Sequence, residues 1–375
     1  MNAPTVISGH CDSAFARVRD AFAASFADGF AIGACVAVVI KGEAVVDLWA
    51  GQRDAARTLP WQADTLVCMM SVTKALAATC VLKLADGGAL DLDWPVARVW
   101  PGFAGGGKDA ITIAQVLGQE AGIPYADGAP EGSLWQAGVV AAALESQVPE
   151  WPPGSTPCYH SFTAGLLYSE IVRRVDGRTL GRFFAEEIAR PHGIDFHIGL
   201  TEEADTRRAE YVATAGTPSW DGILRRVAAP LNRAWRPLPA DEDVNSRDWR
   251  FGEFASANGH GNARAVARLY ALLADPAAPL LSRRLLERAI GARWEGVEAM
   301  TQRHFRYGLG YMLDSPPFPL CGARNFGHPG VGGPVAFGDP DRALGFGYAV
   351  NRMVPVADIG PARAMIEATY ASLSQ

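Results

Sequence analysis

The chain has 375 residues, 49% hydrophobic and 20% charged, which is enough apolar material for a sizeable core and a length that allows two or three domains. Its net charge of −6 includes no basic block, so nucleic acid is not an expected partner, and the dispersed acidic residues point to solubility. Charges or glycines interrupt every apolar run, which excludes a membrane-spanning helix, and the first ten residues lack the basic and apolar regions of a leader, so a cytoplasmic, soluble protein is expected.

Residues 12–28 carry helical periodicity through Phe15, Val18, Phe22 and Phe26. Two apolar runs follow, residues 33–40 and 43–49, separated by Lys41-Gly42, and they predict a hairpin. From residue 71 to about 300 the texture is helical, with helices predicted over 71–86, 112–118, 134–146, 163–175, 180–190 and 261–274. A section over 210–257 breaks that pattern with Pro218, Pro230, Pro237, Pro239, Trp220, Trp235 and Trp249, and it fits either a functional cover or a surface loop packed by its own tryptophans. Strand texture returns after residue 305, in runs over 307–313, 325–330, 334–339 and 344–350 with tight turns between them, and residues 359–374 are helical. The economical assembly is an α+β fold. Residues 1–62 and 300–375 would build one antiparallel sheet flanked by helices, residues 63–299 an all-helical part, and the functional site would lie at their junction.

The chemistry is carried by three short segments. Ser71-Val72-Thr73-Lys74 opens an almost wholly apolar helix that Gly87-Gly88 ends. Three residues of spacing put hydroxyl and amine one turn apart on one face. A lysine entering a core loses its charge readily, and a serine becomes a nucleophile when a neighbour takes its proton. An isolated S-x-x-K also fits an N-cap serine followed by an ordinary lysine.

The second segment runs from Pro152 to Ser161, and its prolines hold Tyr159 just ahead of a helix. A phenol there can shuttle protons if a nearby cation favours phenolate, and Ser161 can donate to a substrate carbonyl or to Lys74. The same residues fit a helix cap and a packed aromatic. The third is Gly327-His328-Pro329-Gly330-Val331-Gly332-Gly333. Pro329 predicts an edge strand, the glycines permit close backbone approach, and the Val331 N–H can serve as an oxyanion donor. A bulged strand with a surface histidine fits as well. The cysteines Cys11, Cys35, Cys68, Cys80, Cys158 and Cys321 form no C-x-x-C, and no histidine pair has ligand spacing, so neither metal nor cofactor is expected.

S-x-x-K, Y-x-S and H-x-G, in that order on helix, loop and strand, resemble the serine β-lactamase and penicillin-binding-protein superfamily, and most closely its class C-like esterases, the family VIII carboxylesterases. The resemblance extends from about Gly33 to the C-terminus. It includes the stretches 89–96, 111–117 and 256–261. It implies a β-lactamase-like fold, Ser71 as the acylated nucleophile, Lys74 as its proton acceptor, and Tyr159 as the group that activates Ser71 or protonates the leaving alcohol. It further implies an oxyanion hole from the N–H groups of Ser71 and Val331, with Ser161, His328 and Gly330 lining the substrate site.

Two departures matter. Ser161 stands where class C enzymes have Asn, and His328 where their third motif begins with Lys. A histidine carries less charge than that lysine, which weakens recognition of a β-lactam carboxylate and favours small or short-acyl carboxylic esters. The alternatives are an amide-bond hydrolase of the β-lactamase or D-aminopeptidase type, an acyltransferase, or a catalytically idle scaffold on the same fold. The sequence leaves the oligomeric state open.

Overall fold

A computed structural model describes residues 5–213, 229–239, 242–277, 279–353 and 359–373. Its centre is a nine-stranded sheet built from β1 (Ile7–Cys11), β2 (Gly33–Ile40), β3 (Glu43–Gly51), β4 (Trp294–Val297), β5 (His304–Tyr307), β6 (Met312–Leu313), β7 (Phe326–Pro329), β8 (Val335–Asp339) and β9 (Leu344–Val350). The order is β1-β3-β2-β9-β8-β7-β6-β5-β4 and every neighbouring pair is antiparallel. Chain start and chain end meet at the β2–β9 pair, where Ala34 lies opposite Val350 and Ile40 opposite Leu344.

β2 is apolar along its whole length because both of its faces are covered, and alternate residues enter different cores. Ala34, Val36 and Val38 point into a core closed by the packed helices Ala16–Ala27 and Ala362–Leu373. Cys35, Ala37 and Val39 join the larger core that holds the helices Val72–Asp86 and Ala263–Ala274. The two ends of the chain therefore share one sheet, and the central helices pack on its other face.

The run over 307–313, predicted as one strand, is two. The chain reverses through Gly310, at φ +84°, so that Met312 pairs back with Tyr307. A Cβ on Gly310 would lie 2.2 Å from the Ala78 side chain, so glycine lets the sheet touch the helix Val72–Asp86. Pro329 is on an interior strand rather than an edge one, but the ladder from β6 reaches only Phe326 and Gly327. On that side the ends of β7, His328 and Pro329, have no strand partner. The prediction of an edge thus holds locally, where proline needs it.

The central part also contains a small three-stranded sheet, Val67–Cys68, Gly259–Gly261 and Phe196–Ile198. Of the proline- and tryptophan-rich section, residues 214–228 and 240–241, including Pro218 and Trp220, lie outside the described residues. The rest contains the helices Ala229–Ala234 and Arg247–Phe251. No helix among the described residues is long and apolar enough to cross a membrane.

Candidate active site

Ser71 stands at the N-cap of the helix Val72–Asp86, but its side chain caps nothing. The chain enters through Met70 in the left-handed region at φ 49°, a sparsely populated conformation for a non-glycine residue and one that recurs at functional sites. Met69 N–H donates to Gly259 O, and Thr73 Oγ donates to Met70 O while accepting from Gly259 N. The turn is thereby tied to the small sheet, and the serine hydroxyl is free for other partners.

Those partners are Lys74 Nζ at 3.1 Å and Tyr159 Oη at 3.0 Å. Lys74 Nζ also donates to Ser256 O at 2.7 Å and lies 5.2 Å from the centre of the Tyr159 ring. Lys74 is completely buried, whereas Ser71 and Tyr159 are half-buried and reachable. Burial holds the Lys74 amine well below its usual range. Burial pushes the Tyr159 phenol up, against the bond to Ser71, and the Glu298 carboxylate adds to the rise. The two shifts reinforce each other, since a neutral amine offers no cation to favour phenolate. The phenolate considered from the sequence is thus disfavoured, and both shifts favour the uncharged forms, an amine beside a phenol. A neutral amine that gives one N–H to Ser256 O keeps a lone pair for the Ser71 proton.

Gly330 lies against the turn that leads into Ser71. A Cβ there would sit 2.5 Å from Met69 O and 3.0 Å from Met70 Cβ. This sets the Gly330–Val331 segment alongside Met69–Met70. Tyr211 Oη holds it by donating to Val331 O at 3.0 Å. The backbone N–H groups of Ser71 and Val331 donate to no other group among the described residues.

Ser161 is not bonded to Lys74, nor does it cap the helix Thr163–Asp176, whose N-cap is Phe162. Its Oγ accepts from Trp235 Nε1 at 3.1 Å. His328 is not a surface residue: it is 1% exposed, with its ring centre 5.9 Å from that of Tyr159. Desolvation lowers its pKa to about 3, any proton on the nearby Lys74 acts in the same direction, and Nδ1 donates to Pro329 O at 2.7 Å. The side chain is therefore a neutral ring packed beside the Tyr159 ring.

Several contributors were not singled out from the sequence. Glu298, wholly buried, accepts from the N–H groups of Tyr159 and Met300 at 2.8 Å each and from the N–H and hydroxyl of Thr301, and so fixes the loop that carries Tyr159. Gln119 accepts from His160 N–H at 2.5 Å and donates to Tyr307 Oη at 2.6 Å. Ser256 places its carbonyl on Lys74 and binds Phe162 O and Gly165 N through its hydroxyl. In the sequence, the stretch 256–261 is marked by the resemblance alone. Nothing local marks Glu298, and Trp235 stands out only as one tryptophan of the 210–257 section.

A chain with this fold has known counterparts. The family model described as "Beta-lactamase" matches residues 18–370. The chain belongs to that family. Its fold is β-lactamase-like, α+β, within the serine β-lactamase and penicillin-binding-protein superfamily. It is 31% identical over 362 residues to "Esterase/beta-lactamase LipL" of Mycobacterium tuberculosis, covering 93% of this chain and 83% of that one. Among solved structures it is similar to a penicillin-binding-protein homologue from Caulobacter crescentus, with a TM-score of 0.89, 36% identity, and coverage of 98% of this chain and 100% of the other. A family VIII carboxylesterase matches at a TM-score of 0.88 with the same identity and coverage. Among the described residues no group of three or more His, Cys, Asp or Glu is placed to hold a metal ion.

Proposed function

We propose that the protein is a serine hydrolase that cleaves small or short-acyl carboxylic esters through an acyl-enzyme on Ser71. The observation that carries this reading is the placement of Ser71 Oγ between Lys74 Nζ and Tyr159 Oη at 3.1 and 3.0 Å. Names of relatives that include "esterase" agree with it.

In this mechanism the neutral Lys74 amine takes the Ser71 proton as Oγ attacks the ester carbonyl carbon. The oxyanion is received by the N–H groups of Ser71 and Val331. As the tetrahedral carbon collapses, the C–O bond to the alcohol breaks. Tyr159 gives its proton to the leaving oxygen and regains one from the Lys74 ammonium. Water then attacks the acyl carbon, its proton passes to the same pair, and the acid leaves with Ser71 restored.

His328 supports esters over β-lactams. A β-lactam carboxylate calls for a fixed cation, and a buried imidazole with a pKa near 3 supplies none at neutral pH. One missing charge-assisted contact corresponds to roughly one to two decades in kcat/KM.

The test is turnover of p-nitrophenyl acetate or butyrate and of a chromogenic cephalosporin, with Ser71→Ala as blank and a fluorophosphonate as label. Labelling at Ser71, loss of turnover in Ser71→Ala, and higher kcat/KM for the ester are expected. An active, unlabelled protein would remove the nucleophile, and a preferred cephalosporin would replace the ester reading with the amide-bond one.

A further inference from the structure

The N–H groups of Ser71 and Val331, which receive the oxyanion in the proposed mechanism, stand on pieces of chain far apart in sequence. Ser71 follows the strand Val67–Cys68, and Val331 lies in the turn after β7. They can serve one oxygen atom only if something holds the two pieces in register.

The turn 330–333 is closed by its own bonds but not aimed by them. Gly330 N–H donates to Pro334 O at 2.7 Å, and Gly333 N–H donates to Gly330 O at 3.2 Å. Gly332, at φ +89°, takes the third place, which is the arrangement of a type II turn. That turn differs from type I by a flip of its central peptide, here Val331–Gly332. The carbonyl of this peptide accepts from Tyr211 Oη at 3.0 Å. Gly332 is needed twice, for its positive φ and because a Cβ would run into the Tyr211 hydroxyl. Val331 N–H thus sits between two carbonyls that are each held, Gly330 O by Gly333 and Val331 O by Tyr211.

Tyr211 is itself a fixed point. Its N–H donates to Asn245 Oδ1 at 2.8 Å, and its carbonyl accepts from Asn245 Nδ2 at 2.9 Å. Val212 N–H donates to Asn351 O at 2.7 Å. Two residues before Tyr211, Ala209 N–H donates to Leu66 O at 2.6 Å, and Leu66 N–H donates to Arg207 O at 3.1 Å. Leu66 leads straight into Val67–Cys68 and Ser71. The strip 207–212 therefore grips the chain that brings in Ser71 with one end and the Val331 turn with the other. Burial pushes the Tyr211 phenol well above its ordinary value, so the hydroxyl keeps the proton it donates.

We propose that Tyr211 is a positioning residue, whose hydroxyl aims the Val331 turn so that the N–H groups of Ser71 and Val331 converge on one developing oxyanion. This rests on Ser71 as the acylated residue and adds the side chain that sets the oxyanion geometry.

The experiment compares p-nitrophenyl butyrate with its thionoester, in which sulfur replaces the carbonyl oxygen. Sulfur lies farther from the carbon and accepts hydrogen bonds weakly, so the thionoester draws little from the two donors. The ratio of the two kcat/KM values reads the oxyanion contacts, and the folded fraction and intrinsic ester reactivity cancel when variants are compared. Tyr211→Phe keeps the ring and deletes the hydroxyl. It should lower kcat/KM for the oxoester about tenfold, less than the roughly hundredfold or greater loss expected when a donor is removed outright. The thionoester should change by less than about threefold, so the ratio falls. Asn245→Ala, which frees the Tyr211 backbone, should lower the ratio about two- to threefold.

A wild-type ratio in Tyr211→Phe overturns the proposal, as does an equal loss on both substrates. Should Tyr211→Phe yield no active protein, Asn245→Ala decides alone, and retention of the wild-type ratio overturns the proposal. Turnover surviving in Ser71→Ala would instead remove the reading beneath it, whereas a dead Ser71→Ala with unchanged ratios removes this inference only.

Discussion

Lys74 and Lys108 are both fully buried, yet they occupy opposite kinds of surroundings. Lys108 Nζ donates to three backbone carbonyls, Gly105 O at 2.7 Å, Glu145 O at 2.9 Å and Gln147 O at 2.5 Å, so all three ammonium protons are used. Desolvation lowers its pKa, and the neighbouring Glu145 carboxylate opposes the fall. Lys74 has one carbonyl and two hydroxyl-bearing neighbours, and desolvation acts on it without an opposing carboxylate. Burial alone does not make a lysine a base. It must also be left short of acceptors and be set beside a proton that needs a destination.

The comparison breaks most readily on rate. Lys74→Ala and Tyr159→Phe should each cost on the order of two to four decades in kcat/KM for a short p-nitrophenyl ester. Their double variant should lose far less than the product, because amine and phenol share one proton path through Ser71. Strict additivity in that cycle would mean that the 3.1 and 3.0 Å contacts are not one network.

Lys108→Met should show the opposite profile. Three carbonyls at the end of the helix Ala137–Ser146 and in the loop Pro101–Gly107 lose their common donor, for a stability loss of about 2–4 kcal/mol by urea denaturation. Ester turnover by the folded fraction, titrated with a fluorophosphonate, should stay within about twofold, since the change touches no reacting atom. A large fall in turnover per labelled site would show that the two lysines are coupled.

The Lys74 half of this contrast was legible in the sequence. Ser71 and Lys74 sit at helical spacing at the head of an apolar run, and β2 announced its burial on both faces by the run from Gly33 to Ile40. Tyr159 and the 327–333 segment became informative in combination with that pair. Within the nine-stranded sheet the two strands without a counterpart in the sequence reading, β1 and β4, are its two edges. Both are largely solvent-exposed, so neither needs an apolar pattern. Lys108 and Glu298 escaped for a related reason, and Trp235 was legible only as one tryptophan of the 210–257 section. Lys108 reaches backbone carbonyls, Glu298 holds the distant Tyr159 N–H besides the nearby Thr301, and Trp235 meets a side chain 74 residues away, so no spacing of residue types marks these roles. His328 was identified as a weak cation from its residue type. Its burial against Tyr159 depends on the end of the β6 ladder and could not be read from composition.

The smallest effect is also the most direct measure of how Lys74 is held. A buried lysine whose folded-state pKa is depressed has lost a proton that the unfolded chain keeps. Between that folded pKa and about 10.4 the unfolded state binds more protons, so stability rises with pH across the window. Lys74→Met keeps the length and apolar stem and deletes the amine. It also leaves Ser256 O without its donor, a cost that does not depend on pH. The variant, inactive, should therefore be more stable than wild type by on the order of 1 kcal/mol near neutral pH, with the advantage shrinking or reversing as pH approaches 10. Measurements start at pH 7 because His160, His260 and His328, held at about 4, 3 and 3 by burial, make both proteins lose stability below their unfolded value of about 6.5. The readout is the difference in unfolding free energy between the two proteins at pH 7, 8, 9 and 10. A difference that stays constant over that range would mean that Lys74 keeps its proton in the fold, and the base would then have to be sought in Tyr159.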